Sequence, residues 1–446
     1  MPSLHPEFIK NMAGMLGGEL DAFIAALEED YAAALRINPL RANSLQAAQE
    51  FIADPVPWAE HGHYIREGAR PGAGLAHFAG AFYIQEASAM LPAAILNAQP
   101  GEKILDLCAA PGGKSSQIAA ALMGEGLLVS NEPDTKRAKM LAGNLERLGI
   151  KNAVAVNEYP PKLAAKWPGF FDAILVDAPC SGEGMFRREP DSRDEWQPGS
   201  PEGCAKRQAS ILDCAAEMLK PGGRMVYSTC TYNRQENEDA VAAFLERRPD
   251  FSAVDFHAEG IGDSSGGMIK IYPHRARGDG QFAALLVRAE AAQAPAAPLS
   301  PAPRKGKGRR PEPAQEALRA FEDMFGDILP GGGTPVIWGE ALAYSPAGAP
   351  PVEGIKVISP GMILAKLLGK RLEPEHQLAM CIDALPGYEL DEAKALAFVR
   401  GEAVDCSDSG WLVARWNGMP LGWGKASGGT LKNHVPKGLR RSINEK

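Results

Sequence analysis

Between Gly101 and Val287, short apolar runs alternate with amphipathic stretches, and this alternation leaves few architectures open. The runs KILDLC, LLVSNE, AVAVN, AILVDA, RMVYSTC and AALLVRA have the length and composition of buried strands. Between most of them, SSQIAAALM, TKRAKMLAGNLERLG and CAKRQASILDCAAEMLK have helical periodicity. Strands that alternate with helices pair in parallel and need cover on both faces, so the pattern predicts an open α/β sheet. The second helix is expected to stop at Gly149 and the third at Lys220-Pro221-Gly222-Gly223.

A chain of 446 residues is too long for one core. Residues 1–75 join a helical stretch, ELDAFIAALEEDYAAAL, to the extended ALRINPL, and read as a small N-terminal α/β module. Residues 76–290 hold the sheet. Residues 291–315 are rich in Ala and Pro around a basic centre (Arg304, Lys305, Lys307, Arg309, Arg310) and read as a linker. Residues 316–446 carry short strand-like runs and many glycines, as in WLVARWNGMPLGWGK.

No run approaches the roughly 20 apolar residues of a membrane helix. The start lacks a basic-then-apolar leader, so a cytoplasmic protein without membrane contact is expected. Seven scattered cysteines with no Cys-x-x-Cys pair argue against a disulfide framework and against a metal site. The net charge of -8 argues weakly against a nucleic-acid binder. Basic residues nevertheless gather in the linker and after Lys425, and local patches set phosphate affinity.

The run ILDLCAAPGGKSSQIAA is a strand, a glycine turn and a helix. Its turn, Cys108, Ala109, Ala110, Pro111, Gly112, Gly113 and Lys114, can approach a nucleotide-like ligand closely, and Ser115 or Ser116 can cap the helix. The helix N-terminus adds free N–H groups and partial positive charge. The spacing matches neither a dinucleotide fingerprint nor a P-loop. Glu132 ends the next strand, where a carboxylate hydrogen-bonds ribose hydroxyls. Asp177-Ala178-Pro179-Cys180 ends the fourth strand and Cys230 the fifth. Ligands in open sheets bind beyond the carboxyl ends of strands, so a carboxylate and two thiols are expected to share one crevice. A buried cysteine is ordinarily a small hydrophobe, which is the reading for Cys204, Cys214, Cys381 and Cys406.

The segments DLCAAPGGKSS, NEPDTKRAKML, VDAPCSGEGMFR and YSTCTYNRQENE, in this order and spacing, resemble the successive motifs of the Nop/Sun family of RNA cytosine-5 methyltransferases. YIQEASAM upstream continues the likeness, and EPEHQLAM, GWGK and LKNHVPKGLR resemble the C-terminal RNA-binding region of the family's bacterial RsmF branch. The resemblance implies a Rossmann-like class I methyltransferase sheet, a C-terminal PUA-like RNA-binding module, S-adenosylmethionine as cofactor and RNA as partner. That RNA is expected to be 16S ribosomal RNA or the small subunit, with no DNA. It implies that Cys230 attacks carbon 6 of cytosine, that Asp177 hydrogen-bonds the base edge, and that Cys180 serves product release. Lys114 is placed to orient Asp177. One position departs from the family, which often has an acid near the adenine where this chain has Asn157. Asn157 and Asp177 are nevertheless expected at the cofactor, with Glu132 and the glycine turn. A thiolate is needed because carbon 5 becomes nucleophilic only after addition at carbon 6.

The same motifs fit a transfer-RNA methyltransferase, and a ribosome-assembly factor with a vestigial fold is a further alternative. Phe82, Tyr83, Phe186 and Trp196 are aromatic residues that fit either base stacking or a core. Lys432, Asn433, His434, Lys437, Arg440 and Arg441 are expected at RNA phosphates.

Overall fold

The computed structural model describes residues 3–290, 313–369 and 371–440. The chain alternates as expected through its centre. β1 (Lys103–Asp106) leads to α1 (Gly113–Ala121), β2 (Leu127–Asn131) to α2 (Thr135–Arg147), and β3 (Ala153–Val156) follows. β4 (Phe171–Asp177), α3 (Ser200–Met218), β5 (Leu219–Thr229) and β6 (Gln281–Arg288) complete the unit. The strands lie in the order β6-β5-β4-β1-β2-β3. β1 to β5 pair in parallel and β6 runs antiparallel to β5. The chain leaves β1 toward β2 on one side and returns to β4 on the other, so a crevice opens above the β1–β4 junction.

Local chemistry explains these elements. Asp134 caps α2 by accepting from the Arg137 amide, and the helix buries Ala138, Leu141 and Leu145 one turn apart. β5 begins at Leu219, so the Lys220–Gly223 segment marks the passage from helix to strand and has already joined the sheet. The serines near the start of α1 do not cap it. Gly112 is the N-cap residue, Ser115 bonds the Asp106 carboxylate, and Ser116 bonds the Arg36 guanidinium.

In the N-terminal region, helix Leu20–Glu28 ends before the Tyr31–Leu35 stretch expected to be helical. Ala34–Ile37 is a strand, with all four residues buried in a sheet with 52–55, 62–65 and 82–84. That last strand carries the N-terminal sheet past residue 75. Beyond the linker lie two sheets, one of four strands within 334–374 and one of five within 387–433. The second shares a core with the N-terminal sheet, in which Leu35 and Phe82 meet Phe398 and Leu421. Strand Val357–Ser359 pairs antiparallel with β3 and so extends the central sheet. No helix among the described residues is long and apolar enough to cross a membrane.

Candidate active site

Two cavities meet above the crevice. The larger, about 1100 Å³, is lined by Cys108, Ala110, Glu132, Pro133, Arg137, Tyr159 and Pro160, and reaches Asp177, Cys180 and Cys230. The smaller, about 300 Å³, is lined by Tyr83, Ile84, Asp106, Ala109, Pro111, Gly113, Lys114, Arg188, Asp279 and Gln281. Cys108, Ala110, Asp177, Met185 and Cys230 border both.

Asp177, at the end of β4, is held from three sides. The Lys114 ammonium donates to one carboxylate oxygen at 2.7 Å. Ser228 Oγ at 2.7 Å and Gln281 Nε2 at 3.3 Å donate to the other. Burial alone would lower the Lys114 pKa, but the Asp177 charge and hydrogen bond outweigh it and raise it, so Lys114 stays an ammonium. Cys230 adds a smaller contribution to that rise.

Cys180 Sγ lies 3.2 Å from Cys230 Sγ. The hydrogen bond with Cys230, and then burial, push the Cys180 thiol well above its ordinary range. Two buried glutamates fix the loops that carry the thiols. Glu183 Oε2 accepts from Thr231 Oγ1 and from the Tyr232 and Asn233 amides. Glu236 accepts from the Ser181 amide, Asn233 Nδ2 and Gln208 Nε2. The Gly184 amide donates to the Cys230 carbonyl at 2.9 Å. The sequence reading missed both glutamates, although each stands in a quoted motif beside a cysteine.

Glu132 is buried in the lining of the larger cavity, 3.4 Å from Arg137, and one oxygen accepts from the Asp134 amide. Asn157 differs from the expectation. Its Nδ2 donates to the Glu132 and Pro133 carbonyls and its Oδ1 accepts from Thr135 Oγ1, so the side chain underpins the turn and does not line the cavity. Gly112 differs too. At φ +114° it needs a glycine, and the space a Cβ would fill belongs to Leu141 of α2, 3.2 Å away, not to a ligand. Gly113 does border the smaller cavity. Asp106, missed from sequence, is fully buried there. Burial pushes its pKa up to about 7, and its Oδ1 has no partner among the described residues. Cys204, read as packing only, lines the larger cavity.

Of the four aromatic residues, Phe82, Phe186 and Trp196 are core side chains, and Trp196 also edges the larger cavity. Tyr83 faces the smaller one. In the tail, Lys432 and Lys437 are exposed. Asn433 donates to the Phe398 carbonyl, His434 lies edge-on to Trp411 at 4.5 Å, and Arg440 donates to the Val435 carbonyl. Arg441 and the basic cluster 304–310 lie outside the described residues.

A doubly wound sheet with a glycine turn, a strand-end carboxylate and a large cavity between them fits a nucleotide-like cofactor, and the family matches make it an S-adenosylmethionine-dependent methyltransferase. Family models agree along the chain. That of the 16S rRNA methyltransferase RsmB/F matches residues 93–287, and that of the RsmF N-terminal domain matches 4–87. The RsmF first C-terminal domain matches 320–382, and the methyltransferase RsmF PUA domain matches 386–441. The ribosomal RNA small subunit methyltransferase F of Shewanella loihica is 32% identical over 99% of this chain and 96% of its own. That of Aeromonas salmonicida is 34% identical over 99% and 98%. A crystal structure of a methyltransferase homolog protein from Pyrococcus horikoshii superposes with a TM-score of 0.53 at 27% identity, over 64% of this chain and all of the other. The chain belongs to the ribosomal RNA small subunit methyltransferase F family.

Proposed function

We propose that this enzyme methylates carbon 5 of cytosine in 16S ribosomal RNA, in the cytoplasm, through a covalent bond between Cys230 and carbon 6. The observation that carries the reading is the pair of thiols 3.2 Å apart, beside the Lys114–Asp177 ion pair, where the two cavities meet. The larger cavity suits S-adenosylmethionine. Its acid at a strand end matches a ribose, and its apolar wall of Pro133, Tyr159 and Pro160 matches an adenine. When bound, the cofactor supplies an electrophilic methyl group.

The smaller cavity takes the base, which must leave its stack to enter. Cys230 Sγ adds to carbon 6, and the displaced π electrons make carbon 5 nucleophilic. Asp177, fixed by Lys114, Ser228 and Gln281, accepts from the base edge and settles its orientation. After methylation the Cys180 thiol gives its proton to the departing Cys230 sulfur and takes the carbon 5 proton in its place, so the 5,6 double bond re-forms as the Cys230–carbon 6 bond breaks. Cys180 serves this release beside the departing sulfur. Exposed Lys432 and Lys437 are our choice for phosphate contacts in the tail.

The test is methyl transfer from labelled S-adenosylmethionine to small subunits, naked 16S ribosomal RNA and transfer RNA, with Cys230→Ala alongside. Label recovered as 5-methylcytosine in ribosomal material, and lost in the variant, supports the proposal. Label confined to transfer RNA overturns the substrate.

A further inference from the structure

The turn that carries Glu132 is not held by the central domain alone. Asn157 binds the Glu132 and Pro133 carbonyls and the Thr135 hydroxyl. The Asn157 amide in turn donates to the Lys356 carbonyl at 2.8 Å. The Lys356 amide donates to Glu158 Oε1 at 2.9 Å, and Lys356 Nζ reaches Thr135 Oγ1 at 2.9 Å. One residue of the C-terminal region therefore closes a ring through Asn157, Glu158 and Thr135 around the base of this turn.

The segment is anchored on both sides of Lys356. Ile355 and Val357 are buried in the core beneath the sheet. Strand Val357–Ser359 pairs with β3, and Trp167 Nε1 donates to the Pro351 carbonyl. A few residues on, Met362–Leu368 belongs to the four-stranded C-terminal sheet. Lys356 itself does not line the cavity. Asn157 and Glu158 are buried while Lys356 and Thr135 are exposed. Hydrogen bonds that join segments on opposite sides of a turn favour one geometry, and a ligand that needs that geometry reinforces them in return.

We propose that segment 355–359 is a positioning element for the adenosine part of S-adenosylmethionine, so that cofactor binding and docking of the C-terminal region on β3 strengthen each other. This rests on the reading of the larger cavity as the cofactor site. Linkage makes the effect reciprocal: whatever the segment adds to cofactor affinity, the cofactor adds to the docking of the segment.

Hydrogen exchange on the full chain, with and without S-adenosylhomocysteine, tests this without altering the protein. Binding is expected to slow exchange at 132–135 and, by at least about fivefold, at 355–359. Slowing at 132–135 with none at 355–359 overturns the inference and leaves the cofactor site standing. No slowing at either overturns the reading of the cavity. As a second arm, Lys356→Pro deletes the amide that Glu158 accepts, and Thr135→Val deletes the hydroxyl shared by Asn157 and Lys356. Each is expected to raise the dissociation constant of S-adenosylhomocysteine at least about fivefold while the fold, read by circular dichroism, is kept. Affinity unchanged in a folded Thr135→Val variant also overturns the inference, even if Lys356→Pro does not fold.

Discussion

Replacing Cys180 with alanine sets two losses against each other. The Cys180 thiol is pushed well above its ordinary range by Cys230 and by burial, so at neutral pH it is protonated. When Cys230 attacks as a thiolate, Cys180 at 3.2 Å is the donor of the bond between them. Removing a donor to a charged acceptor costs about 1.5–3 kcal/mol, which slows attack by about 10- to 150-fold. Removing a group that moves the proton during release costs about 10²- to 10⁴-fold. Release is therefore slowed more than attack, and the enzyme stalls with RNA attached. Cys180→Ala with RNA and S-adenosylmethionine is expected to give a band of covalent complex on a denaturing gel with labelled RNA. Wild type should show little of it, and the Cys180→Ala/Cys230→Ala double variant none. A Cys180→Ala enzyme that turns over at the wild-type rate without the band would refute the assignment, because a buried thiol 3.2 Å from the nucleophile would then contribute nothing.

Glu132→Ala is expected to weaken S-adenosylhomocysteine binding by about 10- to 150-fold, the loss of one charged hydrogen bond to a ribose hydroxyl, measured by isothermal titration calorimetry. An unchanged constant would move the ribose elsewhere. Asp106 gives a pH dependence with a definite sign. Its pKa rises from 3.8 unfolded to about 7 folded, so the unfolded chain binds fewer protons between these values and stability falls as pH rises through them, by up to about 1.4 kcal/mol per unit. Asp106→Asn lacks this loss, so its melting temperature relative to wild type should climb from pH 5 to 7 and then level off. A constant difference across that range would contradict it. Gly80→Ala should destabilise the protein by about 2–5 kcal/mol in a denaturant titration. It combines a left-handed φ of +75° with a Cβ driven into the Arg147 carbonyl oxygen. A loss under 1 kcal/mol would mean that the N-terminal module and α2 separate easily.

What could be read from sequence follows from where open sheets bind ligands. Cys180, Cys230, Asp177 and Glu132 each stand at a strand end, and recognising the strands was enough to bring them together. Lys114 was legible because it follows the glycine turn by one residue. Asn157 shows the limit of the same argument. It too ends a strand, yet its amide is spent on the carbonyls of the neighbouring turn, and no spacing tells which way a strand-end side chain turns. Ser115 and Ser116 were misread as caps for a related reason. Their partners, Asp106 and Arg36, lie 9 and 80 residues away, and a local rule weighs only neighbours.

Two of the residues missed, Glu183 and Glu236, brace the reacting groups and line neither cavity. Both are buried carboxylates, a costly choice unless they are hydrogen-bonded. Glu183 accepts three bonds from the loop after Cys230, and Glu236 accepts one from the loop after each cysteine and one from Gln208 of α3. A loop held only by its own turns would let Cys180 and Cys230 drift relative to each other. Catalytic geometry tolerates little such drift, since a misplacement of about 1 Å costs about 100-fold. Lys356 extends the same logic across domains, as a backbone amide and carbonyl some 200 residues from the turn they steady. Hydrophobic periodicity sets the scaffold and strand ends set the chemistry. The precision of this site rests on buried polar contacts between distant segments, which is why the structure was needed to find them.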